Sequence, residues 1–314
     1  MKNIAFIRDK FVPFEEANLN IASSPVLYGL AVYTVFSFNW NEKKETGTIF
    51  RLENHYKRLV NSCKMMGFNG TGGTPSSPNS FEKSWPFKKF KTTMFELIKK
   101  NNPKANSLIR VSVFVDAIIA GTKINGLPIA LSAYLYPMGQ ILPKDGINVC
   151  ISSWRRNPDS AIPSRAKVNG GYVNASLMKN EAILNGYDDA IALDDHGHVT
   201  ESTVANIFLI KKGVLVTPGT SADILEGITR DSILKIAEDL KIKTEERTVD
   251  RTELYTADEV FISGSSARII PVVSVDKKAV GKSTLGPITE KLLTTYKLAQ
   301  TTSPKYSSWR TEVK

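Results

Sequence analysis

The apolar runs in the second half of this chain change period without settling into the regular strand and helix alternation of a doubly wound dinucleotide-binding sheet. Residues 147–153 read as a strand and 172–185 as a helix closed by Gly186, followed by a strand at 190–193 and a turn at 194–197. A hairpin spans 205–210 and 214–217 across Lys211, Lys212 and Gly213. Ile233, Ile236, Ala237 and Leu240 share one face of a helix over 228–240, and strands at 259–263 and 269–275 flank a Gly-Ser-Ser turn. Many short strands with few helices restrict this half to an α+β arrangement, and no internal repeat is visible.

The first half is mixed. An apolar region at 26–38 and a charged turn at 41–45 precede an amphipathic helix over 52–66; a second helix over 87–100 leads to strands at 107–116 and 129–136. Residues 70–80 are too rich in glycine, proline and serine to form an ordered element and read as an exposed, mobile insertion. The stretch 137–146 reads as a connection. The expected domains are therefore a small N-terminal one over 1–140 and a larger, strand-rich one over 141–314.

With 314 residues, 42% of them hydrophobic, the chain can bury a substantial core. No apolar run approaches the length of a membrane span, and the opening residues break into charge too early for a secretory signal, so a cytoplasmic location is expected. Cys63, Cys150 and the histidines at 55, 196 and 198 show neither a disulfide framework nor metal-ligand spacing. The net charge of +10 raises the question of nucleic acid, but the basic residues are dispersed. The tract at 87–91, which interleaves phenylalanine with lysine, opens an amphipathic helix. A solvated basic surface follows, suited to attracting anionic substrates or cofactors, with no nucleic-acid or membrane partner expected.

Four local features carry chemistry. Lys167 lies between Ala166 and Val168 and before Gly170 and Gly171; a desolvated ammonium there becomes an amine nucleophile, although a loop lysine has the same neighbours. Glu201 stands at the start of an apolar strand, where a plain edge or cap carboxylate would also sit. Gly227, Ile228 and Thr229 open a helix whose amides and hydroxyl suit a phosphate, with Thr229 as a simple N-cap the alternative. The turn Ser263-Gly264-Ser265-Ser266-Ala267 offers convergent N–H groups to an anion, or is only a hairpin.

Taken in order, these segments resemble the class IV aminotransferases, the fold type IV enzymes that use pyridoxal 5′-phosphate. The run from Glu201 through Asn206-Ile207-Phe208, Leu215-Val216-Thr217 and Leu225-Glu226-Gly227-Ile228-Thr229-Arg230 matches the family signature in residue type and spacing. Ala166 to Tyr172 is similar to the Ala-Lys-x-x-Gly-x-Tyr run of branched-chain amino acid aminotransferases. The resemblance implies a two-domain α+β fold like that of D-amino acid aminotransferase, with the larger C-terminal domain binding the cofactor. It implies that Lys167 is the Schiff-base lysine and proton shuttle, Glu201 the partner of the pyridine nitrogen and Tyr172 a donor to the ring oxygen. Arg58, Ile228, Thr229 and Ser265 would hold the phosphate; for Arg58 the bland alternative is a surface helix charge.

For substrate, the resemblance assigns Arg110 to a distal carboxylate, the amides of Ser266 and Ala267 to the α-carboxylate, and Tyr28 and Tyr33 to the pocket lining. The implied reaction moves the amino group of leucine, isoleucine or valine to 2-oxoglutarate, in a homodimer. The chain departs from the branched-chain pattern at Val32-Tyr33-Thr34-Val35, where Val-Phe-Glu-Gly is usual, at Leu108 and at Gln140. A threonine like Thr34 occurs in aminodeoxychorismate lyases. The alternatives are therefore a D-amino acid or amine transaminase, that lyase and, more distantly, a non-catalytic basic binding protein.

Overall fold

The computed structural model describes residues 3–69, 80–139 and 146–313; most of the 70–80 insertion, and Gln140, lie outside the described residues. The chain forms two compact units of nearly equal length. The first comprises Met1–Met138, Ala166–Gly170 and Gln300–Lys314, and the second Gly139–Arg165 and Gly171–Ala299. The chain thus leaves the first unit close to residue 140 but returns to it twice, which a single cut at that point does not describe. Each return has a backbone cause.

In the first unit, described strands lie in the order Arg310–Val313, Thr46–Phe50, Ala31–Asn41, Ser107–Val115, Ile129–Pro137, Ile4–Ile7 and Lys10–Pro13. The strand Ala31–Asn41 is buried along almost its whole length, which is why it reads as a continuous apolar run rather than an alternating one. Its neighbour Thr46–Phe50 pairs only with its far end, from Phe38 to Asn41, while Ser107–Val115 runs beside it from Ala31 to Phe38. Backbone groups near Ala31 are left needing partners on the other edge, and residues 167–169 supply them. Val168 bridges Val32, the Tyr33 amide donates to the Lys167 carbonyl at 2.9 Å, and the Asn169 amide donates to the Ala31 carbonyl at 2.8 Å. Gly29, at φ +65°, makes this approach possible, since a Cβ there would lie 2.8 Å from the Gly170 Cα. The C-terminal return has a similar origin, because Arg310–Val313 pairs antiparallel with Thr46–Phe50.

The helix Leu52–Met65 buries Leu52, His55, Tyr56, Leu59 and Cys63, the 3,4-spaced stripe that its sequence announces, and packs on strand Ala31–Asn41. The Arg51 amide ahead of it donates to the Trp309 carbonyl, and the guanidinium lies 4.7 Å from the Trp309 ring centroid.

In the second unit, described strands follow the order Thr244–Glu246, Val214–Thr217, Asn206–Lys211, Glu259–Gly264, Arg268–Val275, Ile147–Arg155, Asp189–Leu193 and Val199–Ser202. A further pairing of Glu201 with Asn206 joins Val199–Ser202 back to Asn206–Lys211, so this part of the sheet closes on itself. Alternate residues such as Ile207, Leu209, Val260, Ile262, Ile191 and Val149 form one core. Residues on the opposite face, Phe208 and Phe261, stack with centroids 4.9 Å apart. The helix Tyr172–Leu184 covers two strands through Ala175, Met178 and Ala182.

Candidate active site

In the first unit the residues singled out from sequence gather around Tyr33, which is buried. The Arg110 guanidinium lies 3.6 Å and the Lys167 ammonium 4.8 Å from its ring centroid. Arg110 Nη2 also donates to Asn169 Oδ1 at 3.3 Å, which ties this arginine to the segment carrying the lysine. Arg58, half-buried on the helix Leu52–Met65, donates through Nη2 to Thr34 Oγ1 at 3.3 Å. Thr34 is in turn 2.8 Å from His55 Nδ1. Burial first, and then the charges of Arg58, Arg51 and Lys167, hold the His55 imidazole well below its usual range and therefore neutral. One hydroxyl links lysine and arginine: Ser62 donates to the Arg58 carbonyl at 2.9 Å and accepts the Lys167 amide at 3.2 Å. Tyr28 is placed differently. It is 37% exposed at the end of the helix Ser24–Tyr28, and its hydroxyl accepts the Gly121 amide at 3.1 Å.

In the second unit Glu201 is buried and held from three directions. Its Oε1 pairs with Arg156 at 2.6 Å; its Oε2 accepts from Asn206 Nδ2 at 2.9 Å and from the Leu225 amide at 3.2 Å. A carboxylate so surrounded is held in one orientation by charge-assisted hydrogen bonds. Arg156 is itself positioned, its amide donating to the Leu193 carbonyl and its Nε to the Asp223 carbonyl.

Asn206 also donates to the Leu225 carbonyl, so the loop before the helix Ile228–Asp239 is fastened to the residue that holds Glu201. Gly227 is the N-cap of that helix, and a Cβ there would fall 2.0 Å from Asn206 Oδ1, so only glycine fits. The amides of Ile228 and Thr229 lie in the first turn, where backbone donors have no intrahelical acceptor. Thr229 is buried, its hydroxyl 3.4 Å from that of Tyr296. Ser265, Ser266 and Ala267 form the turn closed by the pairing of Gly264 with Arg268. Asn206 faces Glu201 on one side and Ser263 on the other, so the carboxylate and this turn belong to the same end of the closed sheet. Tyr172 begins the helix Tyr172–Leu184 and is half-buried against Cys150 and its neighbours.

The residues missed from sequence are Thr34, His55, Ser62 and Arg156 as structural partners, together with the role of Asn206. Nothing local marks them: Arg156 is one of 41 basic residues. Taken unit by unit, the first offers a primary amine on a segment held by backbone bonds and a guanidinium, and the second a helix N-terminus suited to an anion and a carboxylate fixed by three donors. Among the described residues, no group of three or more His, Cys, Asp or Glu side chains is placed to hold a metal ion.

The family model for amino-transferase class IV matches residues 31–275. A probable branched-chain-amino-acid aminotransferase of Aquifex aeolicus (strain VF5) is 36% identical, over 99% of this chain and 97% of that protein. A branched-chain aminotransferase of Thermoproteus uzoniensis, solved with norvaline, superposes with a TM-score of 0.90 at 32% identity, covering 99% of each chain. The branched-chain amino acid aminotransferase of Thermobaculum terrenum, solved in its PLP-bound holo-form, gives 0.90 at 30% identity, over 100% of each chain. A family match spanning most of the chain and relatives aligned end to end lead to one assignment: this chain belongs to the class IV aminotransferases.

Proposed function

We infer that this protein is a branched-chain-amino-acid aminotransferase that uses pyridoxal 5′-phosphate to move the amino group of leucine, isoleucine or valine to 2-oxoglutarate. The observation that carries this reading is the pairing of a family-wide match with an intact chemical set: Lys167 anchored by backbone bonds, and Glu201 buried and triply held. When bound, the cofactor supplies an aldehyde carbon for the amine and an electron sink for the substrate α-carbon.

The chain's own residues do the rest. Lys167 holds the cofactor through its amine and carries the proton from the substrate α-carbon. Glu201, oriented by Arg156, Asn206 and the Leu225 amide, keeps the ring nitrogen protonated. Arg58, the amides of Ile228 and Thr229, the Thr229 hydroxyl and Ser265 bind the phosphate; Tyr172 donates to the ring oxygen. Arg110, with Tyr33 against its guanidinium, takes the distal carboxylate of glutamate or 2-oxoglutarate. The Ser266 and Ala267 amides take the α-carboxylate, and Tyr28 lines the substrate site.

The working form we propose is a homodimer in the cytoplasm. Support for the dimer comes from exposed apolar side chains at Val173, Leu177 and Leu184 on one face of the helix Tyr172–Leu184, and at Val26 and Leu27 on the helix Ser24–Tyr28. Support for the compartment comes from two buried, unbridged thiols, Cys63 and Cys150, which suit a reducing environment.

Purified protein should be yellow and should form glutamate from L-leucine plus 2-oxoglutarate, but no pyruvate from D-alanine or from aminodeoxychorismate. Absence of glutamate in the first reaction would overturn the substrate assignment, and pyruvate in either of the others would replace it.

A further inference from the structure

We propose that Thr34 and His55 form a neutral positioning pair that aims the Arg58 guanidinium at the cofactor phosphate. This rests on the reading of Arg58 as a phosphate ligand. Thr34 stands where the branched-chain pattern described above has a glutamate, so this chain has a hydroxyl at a place where a carboxylate is usual.

Both members are fixed. Thr34 is fully buried in strand Ala31–Asn41, and His55 is buried on the inner stripe of the helix Leu52–Met65, its ring 5.5 Å from that of Phe36. A threonine hydroxyl has one proton and two acceptor lone pairs. Thr34 Oγ1 lies 2.8 Å from His55 Nδ1 and 3.3 Å from Arg58 Nη2; in the proposed pair the hydroxyl donates to Nδ1 and turns its lone pairs toward Arg58. This polarity requires an imidazole with Nδ1 unprotonated. Burial and the nearby charges of Arg58, Arg51 and Lys167 keep the ring neutral, and in the tautomer proposed here its one proton is on Nε2.

The electrostatic consequence distinguishes this pair from a carboxylate. A glutamate accepting the same hydrogen bond would cancel much of the guanidinium charge and compete with the phosphate for it. A hydroxyl orients the guanidinium and leaves its charge to act on the dianion. Thr34 and His55 are thus positioning residues that act through Arg58.

The test compares affinity for pyridoxal 5′-phosphate with affinity for pyridoxal, which lacks the phosphate, using full-length protein stripped of cofactor and titrated by absorbance. Arg58→Met serves as the reference and should lower the phosphate preference strongly. Thr34→Val should weaken pyridoxal 5′-phosphate binding about tenfold, the size of one hydrogen bond to a charged group, and leave pyridoxal binding within about twofold. Thr34→Ser, which keeps the hydroxyl, should restore the preference. His55→Phe, which keeps the ring packing, should shift the preference in the same direction as Thr34→Val, and it replaces that variant as the deciding measurement if the valine protein does not fold. A purely structural role would weaken both ligands alike or lower only the thermal midpoint, and either result overturns the proposal. An unchanged preference in Thr34→Val and His55→Phe, with a lowered one in Arg58→Met, overturns the pair but spares the phosphate ligand. An unchanged preference in Arg58→Met overturns both.

Discussion

The contacts described for the candidate site residues differ between the two units. In the first, three candidate site cations touch neutral groups: Arg58 the Thr34 hydroxyl, Arg110 the Asn169 amide oxygen and the Tyr33 ring, and Lys167 the same ring. In the second, the anion Glu201 has a full counter-charge in Arg156 and two further donors. On the roles proposed above, the difference follows from what each set would meet. Arginines that receive a phosphate or carboxylate are most effective when their orienting partners leave the charge available. A carboxylate that is to face a ring nitrogen gains from donors that fix its orientation, and a cation is the strongest of them.

The sharpest break of this comparison is the loss of the lysine. Lys167→Ala should abolish the cofactor absorption band and lower turnover at least about 10³-fold, as removal of a group acting as both nucleophile and proton carrier does. Retained turnover would detach the first unit's cluster from the reaction.

Next in size is Arg156→Met. Both side chains of its ion pair are largely buried, at 15% and 7% exposed, so leaving Glu201 without the cation should cost about 3 kcal/mol and lower the thermal midpoint by roughly 5–10 °C. A variant as stable as the parent would show that Asn206 and the Leu225 amide hold the carboxylate unaided.

Arg110→Met should raise KM for 2-oxoglutarate about 10- to 100-fold, the value of a hydrogen-bonded charge contact, while changing KM for leucine far less. Equal changes for both would remove Arg110 from the distal carboxylate.

The smallest effect concerns His55. Its native pKa lies well below its ordinary value of 6.5, so above pH 6.5 the ring is neutral in both states and costs nothing. Below pH 6.5 the unfolded chain takes up a proton that the native protein refuses. Stability should then fall by up to about 1.4 kcal/mol per pH unit until the native pKa is reached. Denaturant titrations between about pH 7 and 5 should show this slope in the parent and a shallower one in His55→Phe; equal slopes would mean that the ring is not held neutral.

Much of both units was legible from residue order. The helix at 52–66, the hairpin across 211–213 and the strands at 259–263 and 269–275 agree with the structure because each depends on a repeat within one element. The helix Pro287–Thr301 is harder to read from sequence; its buried positions include Thr289 and Gln300 beside Leu292, Tyr296 and Ala299, so its apolar stripe is interrupted. The strand Arg310–Val313 is short and only half-buried, and its pairing with Thr46–Phe50 is what identifies it.

By itself the sequence determined the chemical groups: a lysine among small residues, a glutamate opening a strand, a glycine and threonine opening a helix, and the family that this order marks. Those are properties of neighbours along the chain, and local sterics and hydrogen bonding decide them. Only the tertiary structure decided which partner each charge would have. The segment carrying Lys167 lies along residues 31–33 because the adjoining strand stops short of them, and Ser62 reaches it from 105 residues away. Arg156 and His55 acquire their roles in the same way, through strand order and helix packing, and burial then makes each of those contacts electrostatically strong.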